Sequence, residues 1–328
     1  MYEIPFHSEN LSNYRFLVTG GAGFIGSNIV EYLLKYDAKE VRILDNLATG
    51  FLKNISPFIE KSNCNFIEGD IRNLNTCQEA CKNIDVVLHQ AALGSVPRSI
   101  NDPITTNQVN IDGFLNMLVA VRDNKIKRMV YAASSSTYGD SPHLPKKEDI
   151  IGKPLSPYAV TKFVNELYAD VFAKTYQMEL IGLRYFNVFG QRQNYQGEYA
   201  AVIPIFMKAI TEKKSAFING DGEQTRDFTF VENAVQANIL AGLTQNPEAV
   251  NQVYNVAVGD RTSLNLLYQI IKELGKSDIE PTYRENRKGD VRDSLADISK
   301  AQKLLNYQPQ IRIKEGLQKA WQSFVANM

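Results

Sequence analysis

Arg15-Phe-Leu-Val-Thr-Gly-Gly-Ala-Gly-Phe-Ile-Gly26 runs from strand-forming residues through a glycine-rich turn into the start of a helix. Its glycines at 20, 23 and 26 have the spacing GxxGxxG. Gly20 permits the tight turn, Gly23 lets a pyrophosphate approach the backbone, and Gly26 allows close helix–strand packing. Free N–H groups at the helix start, where Phe24 and Ile25 stand, then face the phosphates. Glycines alone are weak evidence; here they directly follow a strand and open a helix, as a dinucleotide site requires.

Working outward, the first half alternates apolar strand-like runs with helical periodicity, which predicts βαβ units and a parallel sheet. Predicted strands are 16–19, 41–45, 65–68, 86–89, 128–133 and 180–185; predicted helices lie near 25–36, 76–82, 110–124 and 158–175. After Asn187 the pattern loosens, with Pro204, Gly220, Gly222 and Gly289 punctuating shorter elements and a polar stretch from Lys276 to Asp293. The fold expected is α/β: a Rossmann-type doubly wound parallel sheet with a smaller C-terminal α/β domain that closes over it.

Asp45 ends the second strand, 19 residues beyond Gly26. A carboxylate there accepts hydrogen bonds from ribose hydroxyls and repels a 2′-phosphate. The residues that follow, Asn46, Leu47, Ala48, Thr49 and Gly50, include no Arg, so NAD is expected rather than NADP. Asp70-Ile71 follows the third strand, in a position to flank the adenine. Gln90-Ala91-Ala92 follows the fourth, where small residues admit the cofactor. His89, between apolar residues at a strand end, reads as a satisfied core histidine.

Composition sets the frame. The chain has 328 residues, 44% of them hydrophobic and 22% charged, an ordinary globular balance with ample length for a large core. Lys+Arg and Asp+Glu both total 36, so nothing in the net charge recruits nucleic acid or an anionic membrane. Residues 1–15 lack a long apolar run and read as a short helix or arm; neither a secretion signal nor a membrane span is expected. Cys64, Cys77 and Cys81 are read as reduced cytoplasmic thiols, and no metal site is expected, since no nearby His or Cys completes one.

Pro157-Tyr-Ala-Val-Thr-Lys162 places Tyr158 and Lys162 four residues apart on one helix face. A phenol titrates near 10, and a neighbouring ammonium is expected to lower that value and prepare Tyr158 for proton transfer. The pair gains weight from Ala132-Ala-Ser-Ser-Ser-Thr-Tyr-Gly139, whose hydroxyls end the fifth strand and point into the ligand crevice of such folds.

Thr19-Gly-Gly-Ala-Gly-Phe-Ile-Gly26, the serine run, Tyr158-x-x-x-Lys162 and Arg184-Tyr-Phe-Asn-Val-Phe-Gly190 resemble the extended short-chain dehydrogenase/reductases that process nucleotide sugars. Within that family, His89–Ser99, Ser134–Asp140 and Leu155–Lys162 are similar to the bacterial UDP-N-acetylglucosamine 4-epimerases. The resemblance runs from about Phe16 to the C-terminal helix. It implies NAD as cofactor, Tyr185 beside it, and Ser134, Tyr158 and Lys162 as the catalytic group. It also implies a division into residues 1–188 plus about 231–263, which bind NAD, and about 189–230 plus 264–328, which bind the nucleotide sugar. A homodimer through the helices containing 110–124 and 158–175 is a further expectation.

On the substrate side, Ser134 would hydrogen-bond the sugar 4-hydroxyl, and Ser135 and Ser136 would serve the sugar or its N-acetyl group. Asn187 resembles the asparagine that contacts the sugar-diphosphate, Val202 lies in a segment approaching the uridine, and Phe217 and Asn219 would flank the uracil. Arg226, and Arg287 within Arg287-Lys-Gly-Asp290, match the pair that binds diphosphate and ribose, a role suited to a guanidinium fork. Ser294, four residues after Asp290, is small where a tyrosine accompanies unsubstituted hexoses, which points to N-acetylated UDP-hexosamines. Ser95 and Arg98 could meet the sugar, and Arg98 could accept a C6 carboxylate.

The implied reaction is C4 epimerisation through a transient 4-keto sugar, with NAD regenerated in each cycle. Two relatives are disfavoured: 4,6-dehydratases carry Asp-Glu where this chain has Ser135-Ser136, and decarboxylases carry an acid where Gly94-Ser-Val-Pro-Arg98 has none. Epimerisation of UDP-N-acetylhexosaminuronic acids, or an idle NAD-sensing role on the same fold, are the alternatives.

Overall fold

The computed structural model describes residues 1–194, 201–285 and 292–326. Its central sheet is built from β1 (Arg15–Thr19), β2 (Glu40–Asp45), β3 (Cys64–Glu68), β4 (Val86–His89), β5 (Arg128–Ser134), β6 (Glu179–Tyr185) and, much later in the chain, β11 (Val253–Val256). The strand order is β11-β6-β5-β4-β1-β2-β3, parallel throughout. Chain order reverses at β1, which lies between β2 and β4, and there the carboxyl ends of the strands open a crevice.

The two faces of β1 show why both sides are covered. Leu17 packs with Val87, Met129, Phe114 and Met117, whereas Val18 packs with Ile29, Leu33, Leu88 and Val235. Successive strand residues point to opposite faces, so a strand apolar at every position needs helices on both. α1 (Phe24–Lys35) and α8 (Val231–Leu243) cover one face; α2 (Leu74–Cys81), α5 (Gly113–Asp123) and α6 (Pro157–Tyr176) cover the other. Between α2 and α5 lie the short helices α3 (Val96–Asn101) and α4 (Pro103–Asn107).

A third apolar cluster gathers α7 (Val202–Thr211), α9 (Leu264–Leu274) and α11 (Ile313–Ala326) through Phe206, Met207, Leu267, Ile271, Leu317 and Phe324. Short strand pairs stitch its loops: β7 (Val188–Phe189) with β10 (Thr229–Phe230), β8 (Phe217–Asn219) with β13 (Thr282–Arg284), and β9 (Thr225–Arg226) with β12 (Thr262–Ser263).

Two details depart from the sequence expectation. β11 is absent from the predicted strands; polar Asn255 interrupts its pattern, yet the strand is buried beside β6. The helix predicted from Asn110 begins instead as a π-type turn, Gln108–Asp112, before α5. Residues 1–13 form an arm, as expected, and it is anchored. Tyr2 is 1% exposed, its hydroxyl donates to the Asn28 carbonyl at 3.2 Å, and Phe6 stacks on Tyr32. No helix among the described residues is long and apolar enough to cross a membrane.

Candidate active site

The Gly20 turn and the carboxyl ends of β1, β2, β4, β5 and β6 enclose a cleft of about 760 Å³. Glycine is required at its floor. A Cβ on Gly20, whose φ is +66°, would lie 2.7 Å from the Ala91 nitrogen, and one on Gly26 would lie 2.1 Å from the Gly20 carbonyl oxygen. The cradle is therefore space that side chains would fill. Gly23 caps α1 with backbone alone, so the N–H groups of its first turn, at Phe24, Ile25 and Gly26, lack intrahelical acceptors and face the cleft. These residues fit a dinucleotide pyrophosphate.

Asp45 lines the same cleft, its carboxylate accepting from the Ala22 and Leu47 backbone N–H groups at 2.9 and 2.8 Å. Burial pushes its pKa up, and those backbone donors oppose the rise. Asn46 and Thr49 stand beside it on the wall, while Gly50 backs onto the Asp45 carboxylate from behind; a Cβ there would lie 3.0 Å from Oδ2. Asp70 and Ile71 also line the cleft. The hydrogen bonds from Arg72 hold the Asp70 carboxyl down at about 2. Gln90, Ala91 and Ala92 supply the opposite wall. There the Tyr185 hydroxyl donates to Gln90 Oε1 (3.0 Å), Gln90 Nε2 donates to Asn238 Oδ1 (2.9 Å), and Asn238 Nδ2 donates back to Tyr185 (2.7 Å).

Ser134, Tyr158 and Lys162 meet on this cleft. Ser134 ends β5 and its hydroxyl accepts from the Ser136 N–H and hydroxyl, at 3.2 and 2.9 Å. Tyr158 and Lys162 come from the first turns of α6, which is capped by Ser156 accepting from the Ala159 N–H at 3.1 Å and carries Pro157 at its first position. Lys162 is 3% exposed and donates to the Ala132 carbonyl at 2.8 Å. Burial lowers its pKa to about 8, against the pull of Glu166.

The expectation that an ammonium would lower Tyr158 is corrected here. Desolvation raises the phenol, and the opposing influence is the hydrogen bond with Ser134. Lys162 donates one of its three N–H groups to the Ala132 carbonyl. His89 is the core histidine expected: Nδ1 pairs with Thr19 Oγ1 at 2.8 Å, and burial lowers its pKa to about 3. Cys64, Cys77 and Cys81 are buried and unbridged, with burial pushing the thiols of Cys77 and Cys81 up to about 12.

One positioning residue escaped the sequence reading. Asn110, in the π-type turn, accepts from the Leu93 N–H at 2.8 Å and donates to the Leu93 carbonyl and the Thr161 hydroxyl, both at 3.1 Å. It joins the cleft wall at Leu93 to the residue preceding Lys162. Its signal is an asparagine between Val109 and Ile111, a polar break in an apolar stripe.

A second cleft of about 860 Å³ shares Asn187 and Val188 with the first and is also lined by Ser95, Val202 and Phe228. Asn187 has φ +37° and donates to the Asp227 carbonyl at 3.0 Å. Ser95 caps α3 by accepting from the Arg98 N–H at 3.1 Å, while Arg98 itself lines the first cleft. Arg284, not singled out from sequence, also lines the second cleft; it sits 5.2 Å over the Phe217 ring and donates to Asn219 Oδ1 at 2.5 Å.

Other substrate-side expectations are not brought to these walls. Ser135 and Ser136 belong to the short 3₁₀ turn Ser135–Tyr138, where the Ser136 hydroxyl donates to Ser134 at 2.9 Å. Phe217 is 57% exposed, and Asn219 is tied to Arg284. Arg226 donates to the carbonyls of Thr225 and Arg292 at 2.8 and 3.1 Å, which orients it along β9. Ser294 donates its backbone N–H to the Thr225 carbonyl at 3.1 Å. Arg287 and Asp290 lie outside the described residues.

Known proteins resemble this chain in sequence and in fold. The chain is similar to a UDP-N-acetylglucosamine 4-epimerase of Methanobrevibacter ruminantium solved with UDP-N-acetylmuramic acid, at 40% identity and TM-score 0.91, covering 96% of this chain and 99% of that one. It is 35% identical to a UDP-glucose 4-epimerase of Mycolicibacterium smegmatis over 94% of this chain and 98% of the relative. A UDP-glucuronic acid 4-epimerase of Bacillus cereus, solved with UDP-glucuronic acid and NAD, matches at 30% identity and TM-score 0.89, covering 96% of this chain and 100% of that one. The NAD-dependent epimerase/dehydratase family profile matches residues 16–257, a span that holds both the glycine cradle and the Ser134–Tyr158–Lys162 group. NAD is accordingly the cofactor, and the chain belongs to the NAD-dependent epimerase/dehydratase family.

Proposed function

We propose that the protein is a UDP-sugar 4-epimerase that interconverts N-acetylated UDP-hexosamines, UDP-N-acetylglucosamine and UDP-N-acetylgalactosamine, through a transient 4-keto sugar. The observation that carries this reading is that Ser134, Tyr158 and Lys162 converge on a glycine-floored cleft that continues, through Asn187 and Val188, into a second cleft. Bound NAD supplies a reversible hydride acceptor. The chain does the rest. Tyr158 takes the C4 hydroxyl proton, Ser134 orients that hydroxyl, and Lys162 holds charge behind them. Residues 1–188 with about 231–263 hold the cofactor in this proposal, and about 189–230 with 264–328 hold the nucleotide.

The amino-sugar preference is supported by Ser294, a small side chain beside the Asp293–Thr225 bridge, and by the likeness to an N-acetylglucosamine epimerase. A second reading, turnover of the uronic acid, is favoured by Arg98 on the cleft wall. Purified protein should convert UDP-N-acetylglucosamine to its C4 epimer faster than UDP-glucose, UDP-glucuronic acid or UDP-N-acetylglucosaminuronic acid, followed by chromatography of the products. With Ser294 beside the sugar's C2, as the family resemblance implies, Ser294→Tyr should cut N-acetylhexosamine turnover by about tenfold or more while sparing UDP-glucose, since a misfit in a substrate pocket is worth about 1–3 kcal/mol. Faster turnover of the N-acetylated acid would transfer the assignment to the second reading.

A second copy of the chain is the proposed partner. Val160, Leu167 and Val171 form one exposed apolar stripe along α6, joined by exposed Ile100 and Ile104 on the adjoining α3 and α4. A stripe of this kind suits an isologous two-fold contact. Leu167→Glu with Val171→Glu should convert a dimer to a monomer in sedimentation equilibrium; an unchanged mass would refute the contact.

A further inference from the structure

Behind the catalytic group lies a buried ion pair that the chemistry above does not use. Glu166 stands one helical turn beyond Lys162 on α6 and receives Arg184 in a fork, Nε to Oε1 at 2.9 Å and Nη2 to Oε2 at 2.7 Å. The two side chains are 8% and 4% exposed. The third arm of the guanidinium donates to the Glu148 carbonyl at 2.9 Å, and its plane lies 4.8 Å over the Tyr138 ring. Tyr138 closes the turn that Ser134 opens, and its hydroxyl donates to Asn255 Oδ1 at 2.6 Å. Asn255, on β11, in turn donates to the Lys146 and Asp297 carbonyls, both at 2.9 Å. A single pair thus touches the helix of Lys162 on one side and the turn of Ser134 on the other.

A buried pair costs desolvation of two charges and is weak evidence for stability by itself. Its fork geometry does fix orientation. We propose that Glu166, held by Arg184, is a positioning residue of the site: it registers the turn carrying Lys162 against the turn carrying Ser134 and supplies the negative charge behind the lysine.

The groups around Lys162 agree. His89 on β4 is kept neutral by burial, Tyr158 shares α6, Tyr185 lines the same cleft from β6, and Arg184 is spent on Glu166. Of these and Glu166, Glu166 alone is an acid that raises the lysine.

The activity readout rests on the epimerase reading, so a second readout independent of substrate is needed. In Glu166→Gln, kcat should fall about tenfold with KM for the UDP-sugar within about twofold, and the pH at which the kcat profile levels off should move down by about one unit. In ¹⁵N-lysine NMR, with the Lys162 ζ-nitrogen assigned by its loss in Lys162→Met, the titration midpoint should fall by a similar amount. If the parent protein epimerised no UDP-sugar, the reading of function would fail while this titration still tested the pair. An unmoved midpoint in folded Glu166→Gln would overturn the proposal. Should that variant not fold, Arg184→Lys serves: reduced kcat at unchanged KM, with the Lys162 midpoint retained, supports the coupling, and full kcat sinks it.

Discussion

Tyr158→Phe should lower the kcat of epimerisation by about 10²–10⁴-fold, the usual worth of a positioned general acid–base. The substitution removes one oxygen and leaves the ring, so the cleft keeps its shape. Cofactor retention and the melting temperature should therefore stay near the parent values, because the hydroxyl is not part of the glycine cradle. The pH dependence has a definite sign. Desolvation raises the phenol above its ordinary value of 10, so the neutral form dominates in the resting site and activity should climb as pH rises toward the lysine's midpoint near 8. Above that midpoint Lys162 loses its charge as fast as the phenolate gains population, so the profile should level off and fall only once pH passes the phenol's raised value. Measuring kcat against pH for the parent, and single-time-point product yield for the variant, checks both statements. Unchanged turnover in the variant would instead favour an idle NAD-sensing protein.

Gly26→Ala should strip the purified protein of its cofactor. The added methyl would sit 2.1 Å from the Gly20 carbonyl oxygen and 2.8 Å from the Gly21 Cα, both backbone atoms that cannot swing aside. Either the turn opens or α1 slides, and in both cases the N–H groups aimed at the pyrophosphate are displaced. Forcing a methyl into a packed site costs about 1–3 kcal/mol, which corresponds to roughly 5- to 150-fold in cofactor affinity if it falls on the bound form. Acid release of nucleotide followed by chromatography should recover NAD from the parent and little from the variant. Gly94→Ala is the matched control. It lies on the same cleft, yet a Cβ there meets nothing within 4 Å, so its NAD content should match the parent. Full retention by Gly26→Ala would mean that the cradle does not hold the phosphates.

The leading strands were legible because most are short apolar runs, β1 and β4 on both faces, and the glycines between β1 and α1 fix the chain reversal. The cleft wall was legible for the same reason: Asp45 ends a strand, Asp70 and Gln90 each follow one, and strand ends converge by topology. β11 was not, since Asn255 in its middle makes the pattern look like a loop until its amide is seen bridging Lys146 and Asp297. The substrate side was read least well. Phe217, Asn219 and Arg226 sit on short strands whose direction depends on pairings distant in sequence, such as Thr282 with Phe217, which no local periodicity encodes. The sign of the Tyr158 shift was likewise hidden, because it depends on how deeply the fold buries the phenol, and burial outweighs the Ser134 hydrogen bond.

The closed ring of Tyr185, Gln90 and Asn238 bears on which phenol can react. Two tyrosines line the cofactor cleft. In Tyr185 the hydroxyl hydrogen is given to Gln90 while the oxygen receives Asn238, and each amide is oriented by the other. Burial raises that phenol, against the opposing pull of the two amides. A guest in the cleft therefore meets two aromatic hydroxyls of which one is already committed on both lone pair and proton, and proton traffic is confined to the other by hydrogen-bond arithmetic rather than by distance.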